Sequence, residues 1–307
     1  MAVEALHDVV VIGAGAAGVS AAIECFDIQL DVVVVEAAGR VGGQVEQIPH
    51  AVRNVAPAPE GNEGLVAALH RHASILGDRL RLDRAVTGVD LAAGLVDAGS
   101  RRYRGRSVLV ATGSRRRELD EAPEGSFGGD VTYLVEPHLI RFAGLPMAVL
   151  GGGDSAALDA LALAEAGSAV TLVHRSPALT ARRDVVQRVR SEDRITEMGG
   201  WALQRIIGSD HLEAVDVSST GSGEHRRLDV RGIVLKLGRE KAVDLVRGQL
   251  DLGGHGGIVV DGDLRTSDPR TFAAGDVVEG AYERIATAVG QGSLAARSIL
   301  HSLESGR

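Results

Sequence analysis

Val9-Val10-Val11-Ile12 is an unbroken apolar run of β-branched side chains, the pattern of a strand covered on both faces. It ends in Gly13-Ala14-Gly15-Ala16-Ala17-Gly18, after which small apolar residues open a helix. A second run, Val32 to Val35, follows and stops at Glu36. The order then repeats. Met147-Ala148-Val149-Leu150 leads into Gly151-Gly152-Gly153-Asp154-Ser155-Ala156, an Ala/Leu helix runs through about Ala166, and Ala169 to Val173 forms the next strand. Elsewhere, apolar residues recur at helical spacing from Gly64 to Leu76, and residues 80–97 alternate like strands. Ser107 to Val110 reads as a buried strand ending at Ala111-Thr112-Gly113. Residues 115–145 are irregular and rich in Gly, Pro and charge, which suits a connection between domains. Residues 212–217 and 228–237 read as a strand pair. Thr271 to Ala274 reads as a strand ending in Gly275-Asp276, with a helix from about Ile285 to Leu303.

The glycine positions carry the chemistry. In G-x-G-x-x-G between strand and helix, Gly13 permits the tight turn, Gly15 lets a pyrophosphate approach, and Gly18 lets helix and strand pack closely. The phosphates then lie on unpaired N–H groups at the helix start. Glu36 ends the second strand, where a carboxylate accepts from ribose hydroxyls. Two complete copies in one chain imply two dinucleotides. The second copy lacks the acid and carries His174-Arg175, with Arg182 and Arg183 close behind. Guanidinium groups there can clamp a 2′-phosphate, which favours NADPH over NADH, and a solvated basic helix start is the alternative. Gly42-Gly43-Gln44 lets backbone run close to a flat ligand. Asp276 at a strand end can hold sugar hydroxyls, and the helix after it favours negative charge on a reduced ring.

Composition narrows the class. The 307 residues are 45% hydrophobic and 24% charged with a net charge of −8, which argues against nucleic acid as the principal partner. Cys25 is the one cysteine, so no internal disulfide or thiolate metal cluster forms, and no metal site is expected. No apolar run reaches the roughly 20 residues of a membrane helix. The first strand starts close to Met1, leaving no room for a leader segment, and the expected location is the cytoplasm with no membrane partner.

Taken together, G-x-G-x-x-G at Gly13, G-G-Q at Gly42, A-T-G at Ala111, G-G-G-D-S-A at Gly151, H-R at His174 and A-A-G-D at Ala273 resemble the thioredoxin-reductase-like branch of the two-dinucleotide flavoproteins. The resemblance implies an α/β fold of two Rossmann-like three-layer domains, the NADPH domain inserted into a discontinuous FAD domain. Its boundaries would be 1–115 and 243–307 for the FAD domain and 116–242 for the NAD(P)H domain. The implied FAD contacts are Gly13, Gly15, Ala16, Ala17, Gly18, Glu36, Ala37, Gly43, Gln44, Asn54, Val86, Ala111, Thr112, Gly113, Gly275, Asp276, Arg284 and Ile285. The implied NADPH contacts are Gly151, Gly153, Asp154, Ser155, Ala156, His174, Arg175 and Arg182. Relatives of this kind are commonly homodimers.

The departures bear on function. Thioredoxin reductases carry C-x-x-C-D before the second glycine motif, and a gapless count puts Leu134, Val135, Glu136, Pro137 and His138 there. Without a thiol pair, disulfide exchange has no relay. The usual H-R-R is cut to His174-Arg175-Ser176, and the R-Q beside the flavin pyrimidine is represented by Glu283-Arg284. In Gly151 to Ala156 and the preceding Tyr133…Phe142-Ala143-Gly144 the chain also resembles the Cys-less ferredoxin–NADP reductases, whose aromatic C-terminal extension over the flavin it is expected to lack after Arg307. The leading expectation is an FAD enzyme that takes hydride from NADPH to flavin N5 and passes electrons to ferredoxin, flavodoxin or a small-molecule acceptor. Arg115-Arg116-Arg117 would dock an acidic protein or form a solvated hinge. The alternatives are a tailoring flavoenzyme acting on a small metabolite, with His138 as catalytic proton donor, and a non-catalytic flavin-bound scaffold.

Overall fold

The structure is a computed structural model in which residues 2–48, 52, 55 and 61–305 are described. Asn54 lies outside them. The chain divides into two compact units, residues 1–115 with 240–307 and residues 116–239. The return crossing falls at Arg239–Glu240, where the sequence reading places it after Ala242.

The first unit opens with β1 (Ala2–Ile12), α1 (Ala16–Asp27), β2 (Val32–Val35), α2 (Gly61–Ala73), β3 (Leu80–Arg81), β4 (Val86–Asp90), β5 (Leu95–Ala98) and β6 (Arg101–Val110). Val9 to Ile12 pair in parallel with Val32 to Val35 on one side and with Ser107 to Val110 on the other. All four valines of β2 are buried, as an unbroken apolar strand requires. The antiparallel strands β5 and β4 extend the sheet beyond β6.

The chain leaves through β7 (Ser114–Arg116) and builds the second unit. It holds two one-turn helices, α3 (Ser126–Gly129) and α4 (Leu139–Phe142), with β8 (Val131–Thr132) between them. Then come β9 (Met147–Leu150), α5 (Asp154–Glu165), β10 (Val170–His174), α6 (Arg183–Ser191) and β11 (Ile195–Gly199). β12 (Trp201–Gly208), β13 (Leu212–Ser219), β14 (His225–Asp229) and β15 (Gly232–Leu235) complete it. Five parallel strands form one sheet in the order β11-β10-β9-β15-β8, and β12-β13-β14 form an antiparallel sheet. The expected pairing of 212–217 with 228–237 therefore holds only in part. Val215 pairs with Leu228, whereas Gly232 to Leu235 join the parallel sheet beside β9. The switch happens at Arg231, whose N–H donates to the Pro146 carbonyl, and at Gly232, where a Cβ would meet the Met147 side chain at 2.5 Å.

Back in the first unit, β16 (Arg239–Lys241) precedes β17 (Thr271–Ala273), which pairs in parallel with β6, and α7 (Ile285–Ser305) closes the chain. α1 and α7 pack on one face of the large sheet, where Ala17, Ala21, Ala295 and Ile299 are buried with Val9, Val11 and Phe272. The other face, with Val10, Val33 and Tyr103, is covered by Val246 and Ile258. Each unit is thus a layered α/β body in which the glycine turns stand at the carboxyl ends of parallel strands.

Candidate functional site

In the first unit the turn after β1 has the geometry its glycines predict. Gly13 has φ +102°, and a Cβ there would lie 2.5 Å from the Ala111 carbonyl oxygen. A Cβ on Gly18 would lie 1.9 Å from the Gly13 oxygen, so α1 sits as close as a bare backbone allows. Gly15 is the opposite case. A Cβ there would meet nothing within 4 Å, and no side chain caps the N-terminus of α1. Open space beside uncapped helix N–H groups is what a pyrophosphate needs. Glu36 follows β2, and its two carboxylate oxygens accept from the Ala14 N–H at 2.6 Å and the Ala38 N–H at 2.8 Å. Ala16 and Ala17 form the first turn of α1, Ala37 is exposed beside Glu36, and half-buried Val86 starts β4.

The Gly42–Gly43 loop lies on this turn. The Gly42 N–H donates to the Ala14 carbonyl at 2.8 Å, and a Cβ on Gly43 would be 3.3 Å from the Gly15 Cα. Gln44 Nε2 donates to Ser114 Oγ at 3.2 Å and Asp276 Oδ2 at 3.1 Å, which joins the loop to the ends of two distant strands. Thr112 Oγ1 donates to the Ala242 carbonyl at 2.7 Å, and Gly113 accepts from the Ala242 N–H. Gly275 has φ +83°, and its N–H donates to Gln291 on α7. Arg284, just before Ile285 opens α7, lies over the exposed ring of Tyr282. Lys241 pairs with Glu283 at 2.7 Å.

A tie that sequence reading misses fixes the same loop. Glu46, with 11% of its side chain exposed, accepts from Arg40 Nε at 2.8 Å and His70 Nε2 at 2.6 Å, and His70 Nε2 also lies 3.1 Å from the Val41 carbonyl. His70 stands on α2, far along the chain from the loop, and only its helical spacing is visible in the sequence.

The second unit repeats the plan. Gly151 has φ +144°, a Cβ on it would lie 2.7 Å from the Lys236 carbonyl oxygen, and a Cβ on Gly153 would meet nothing within 4 Å. No side chain caps α5 at Gly153, and exposed Ser155 and buried Ala156 lie in its first turn. The loop after β10 folds back over the turn. The Thr180 N–H donates to the Gly152 carbonyl, and the Arg182 N–H donates to Asp154 Oδ1 at 2.7 Å. His174 is buried, with Nδ1 2.8 Å from the Ser176 carbonyl and Nε2 3.3 Å from Glu197. Its ring is committed within the fold, and Arg175 is the exposed member of the pair. The Arg182 guanidinium lies 3.6 Å from Asp154 and 3.8 Å from Asp184, so both acids compete with any phosphate for it.

Leu134 to His138 form the exit from β8 and a short 3-10 turn. His138 is partly exposed, 3.7 Å from Glu124. Arg115 is paired with Glu240 and Asp244, and Arg116 with Glu118 and Glu124. Cys25 is buried in α1, and burial pushes its thiol up to about 12. Among the described residues no cluster of side chains suits a metal ion, and no helix is long and apolar enough to cross a membrane.

The family model for pyridine nucleotide-disulphide oxidoreductases matches residues 7–292, which takes in both glycine cradles. The chain belongs to that family. It is 32% identical over 298 residues to a thioredoxin reductase of Mycolicibacterium smegmatis, an alignment covering 95% of each chain. Among solved structures, thioredoxin reductase of Lactococcus lactis in the FR conformation superposes with a TM-score of 0.86 at 27% identity, covering 97% of this chain and 99% of that one. Thioredoxin reductase of T. acidophilum gives 0.84 at 26% identity, covering 99% and 100%. The protein is accordingly an NAD(P)H-dependent FAD oxidoreductase with FAD and NADPH as cofactors. Both cradles fit such groups: each has an open second glycine at an uncapped helix start.

Proposed function

We propose that this reductase passes electrons from FAD straight to an acceptor outside the chain, with no protein dithiol between, and that it is not a thioredoxin reductase. One observation carries the reading. The single thiol, Cys25, is buried in α1 and held protonated, and Leu134-Val135-Glu136-Pro137 contains no sulfur. A thiolate is the nucleophile of disulfide exchange, so this chain has no group to perform it.

FAD, when bound, supplies the two-electron chemistry between NADPH and the acceptor. The chain's part is to bind and orient. Glu36 would hold the ribose at the end of β2, Gly15 and the start of α1 would take the FAD pyrophosphate, and Gln44, Thr112 and Asp276 would line the polar edge of the ring system. Gly153 and the start of α5 would take the NADPH pyrophosphate, with Arg175 as the exposed cation for the 2′-phosphate. Arg115 and Arg116 are already neutralised by four carboxylates, which supports a small redox molecule as acceptor over ferredoxin or flavodoxin.

The test is an anaerobic acceptor comparison with the NADPH-reduced holoenzyme. We expect ready oxidation by quinones or small one-electron acceptors and no reduction of thioredoxin above the rate of free flavin. Catalytic turnover of thioredoxin would refute the reading. Faster turnover with flavodoxin that falls in the Arg115→Glu/Arg116→Glu variant would replace the small acceptor by a protein one.

A further inference from the structure

Lys236 stands in the second unit where Ala111 stands in the first. The Ala111 N–H donates to the Ile12 carbonyl at 2.9 Å, and the Lys236 N–H donates to the Leu150 carbonyl at 2.7 Å. Each carbonyl oxygen then closes against the first glycine of its motif, at 2.5 Å and 2.7 Å from the position a Cβ would take. Asp159 likewise matches Ala21, each eight residues after that glycine. The first unit buries two alanines at these positions. The second buries an ammonium 2.7 Å from a carboxylate, with 14% and 4% of the side chains exposed.

A buried ion pair must offset the desolvation of both charges, so it is a poor way to gain stability, and alanines serve the same architecture in the first unit. This one does something alanines cannot. Lys236 Nζ also donates to the Tyr133 carbonyl at 2.6 Å. A single ammonium therefore ties α5, the end of β15 and the exit of β8 together. β9 and β15 flank the point where strand order reverses, and ligands of open parallel sheets bind outside the carboxyl ends there.

We propose that the Asp159–Lys236 pair is a positioning device for the nicotinamide nucleotide. It holds the exit of β8, and with it the start of the Leu134–His138 stretch, in place against the second glycine cradle, so the NADPH pocket is shaped before the nucleotide arrives. The inference rests on the second cradle being the NADPH site.

The experiment uses the FAD-loaded protein with Lys236→Met and, to keep the interior filled and uncharged, the double variant Lys236→Met/Asp159→Leu. FAD content, the NADP⁺-induced rise in Tm, and KM and kcat for NADPH with ferricyanide are read. Both variants should keep wild-type FAD content, lose most of the NADP⁺-induced rise, and show KM for NADPH up about tenfold with kcat changed less than about twofold. Wild-type NADP⁺ protection and KM in the double variant would overturn the proposal, because the pair would then be only core. Loss of FAD by both variants would also overturn it, by making the pair a requirement of folding. If the wild-type protein itself gained nothing from NADP⁺, the assignment of the second cradle would fall first.

Discussion

At the scale of single residues, neighbouring glycines separate fold from function. Gly13 needs its positive φ and has no room for a methyl group, so Gly13→Ala should destabilise the first unit and lose FAD together. Gly15→Ala faces open space at an ordinary φ, so it should leave the apoprotein's Tm within a few degrees while FAD affinity falls at least about tenfold, measured by flavin fluorescence. Equal losses of stability in the two variants would contradict this account. Cys25 gives a pH signature. Its folded pKa, about 12, lies above the 9.0 usual for a solvated thiol, so the unfolded chain releases the proton first. Stability should therefore fall as pH rises from about 9 towards 12, and Cys25→Ala should remove that component of the slope in urea titrations. The same thiol should stay unreactive towards disulfide reagents at pH 8 until the protein unfolds.

At the scale of elements, the loop over the first cradle is held from two sides, by Gln44 on Asp276 and by His70 on Glu46. Removing the half-exposed His70 should cost the closed loop about 1 kcal/mol, or roughly fivefold in FAD affinity, with a smaller change in Tm. His70→Ala with wild-type FAD retention would show that the loop needs no such tie. Legibility follows the same division. β2, β9 and the Val9–Ile12 part of β1 are readable because buried parallel strands there are apolar throughout, and their turns because Gly13, Gly18 and Gly151 leave no room for a side chain. The Glu46–His70 and Asp159–Lys236 contacts are not readable, since each joins side chains far apart in sequence with no motif between them. β14 and β15 are misread as one strand because residues 228–237 form a nearly continuous strand-like stretch. Only the backbone contacts of Arg231 and Gly232 show where the chain changes sheets. His174 shows a different limit. The motif identifies the position, but burial against Glu197 and Ser176 turns the ring inward and leaves Arg175 as the exposed cation.

At the scale of the whole molecule, the chain carries two copies of one nucleotide-binding plan and a single inert thiol. A flavin with a redox-active dithiol stores four electrons, whereas a flavin alone stores two. Anaerobic titration of the FAD-loaded protein with NADPH therefore tests the central claim most directly, with the absorbance of oxidised flavin as the readout. The account predicts complete bleaching at about one NADPH per flavin, with the same endpoint in Cys25→Ala. An endpoint near two NADPH per flavin, or a flavin that NADPH does not bleach, would contradict it.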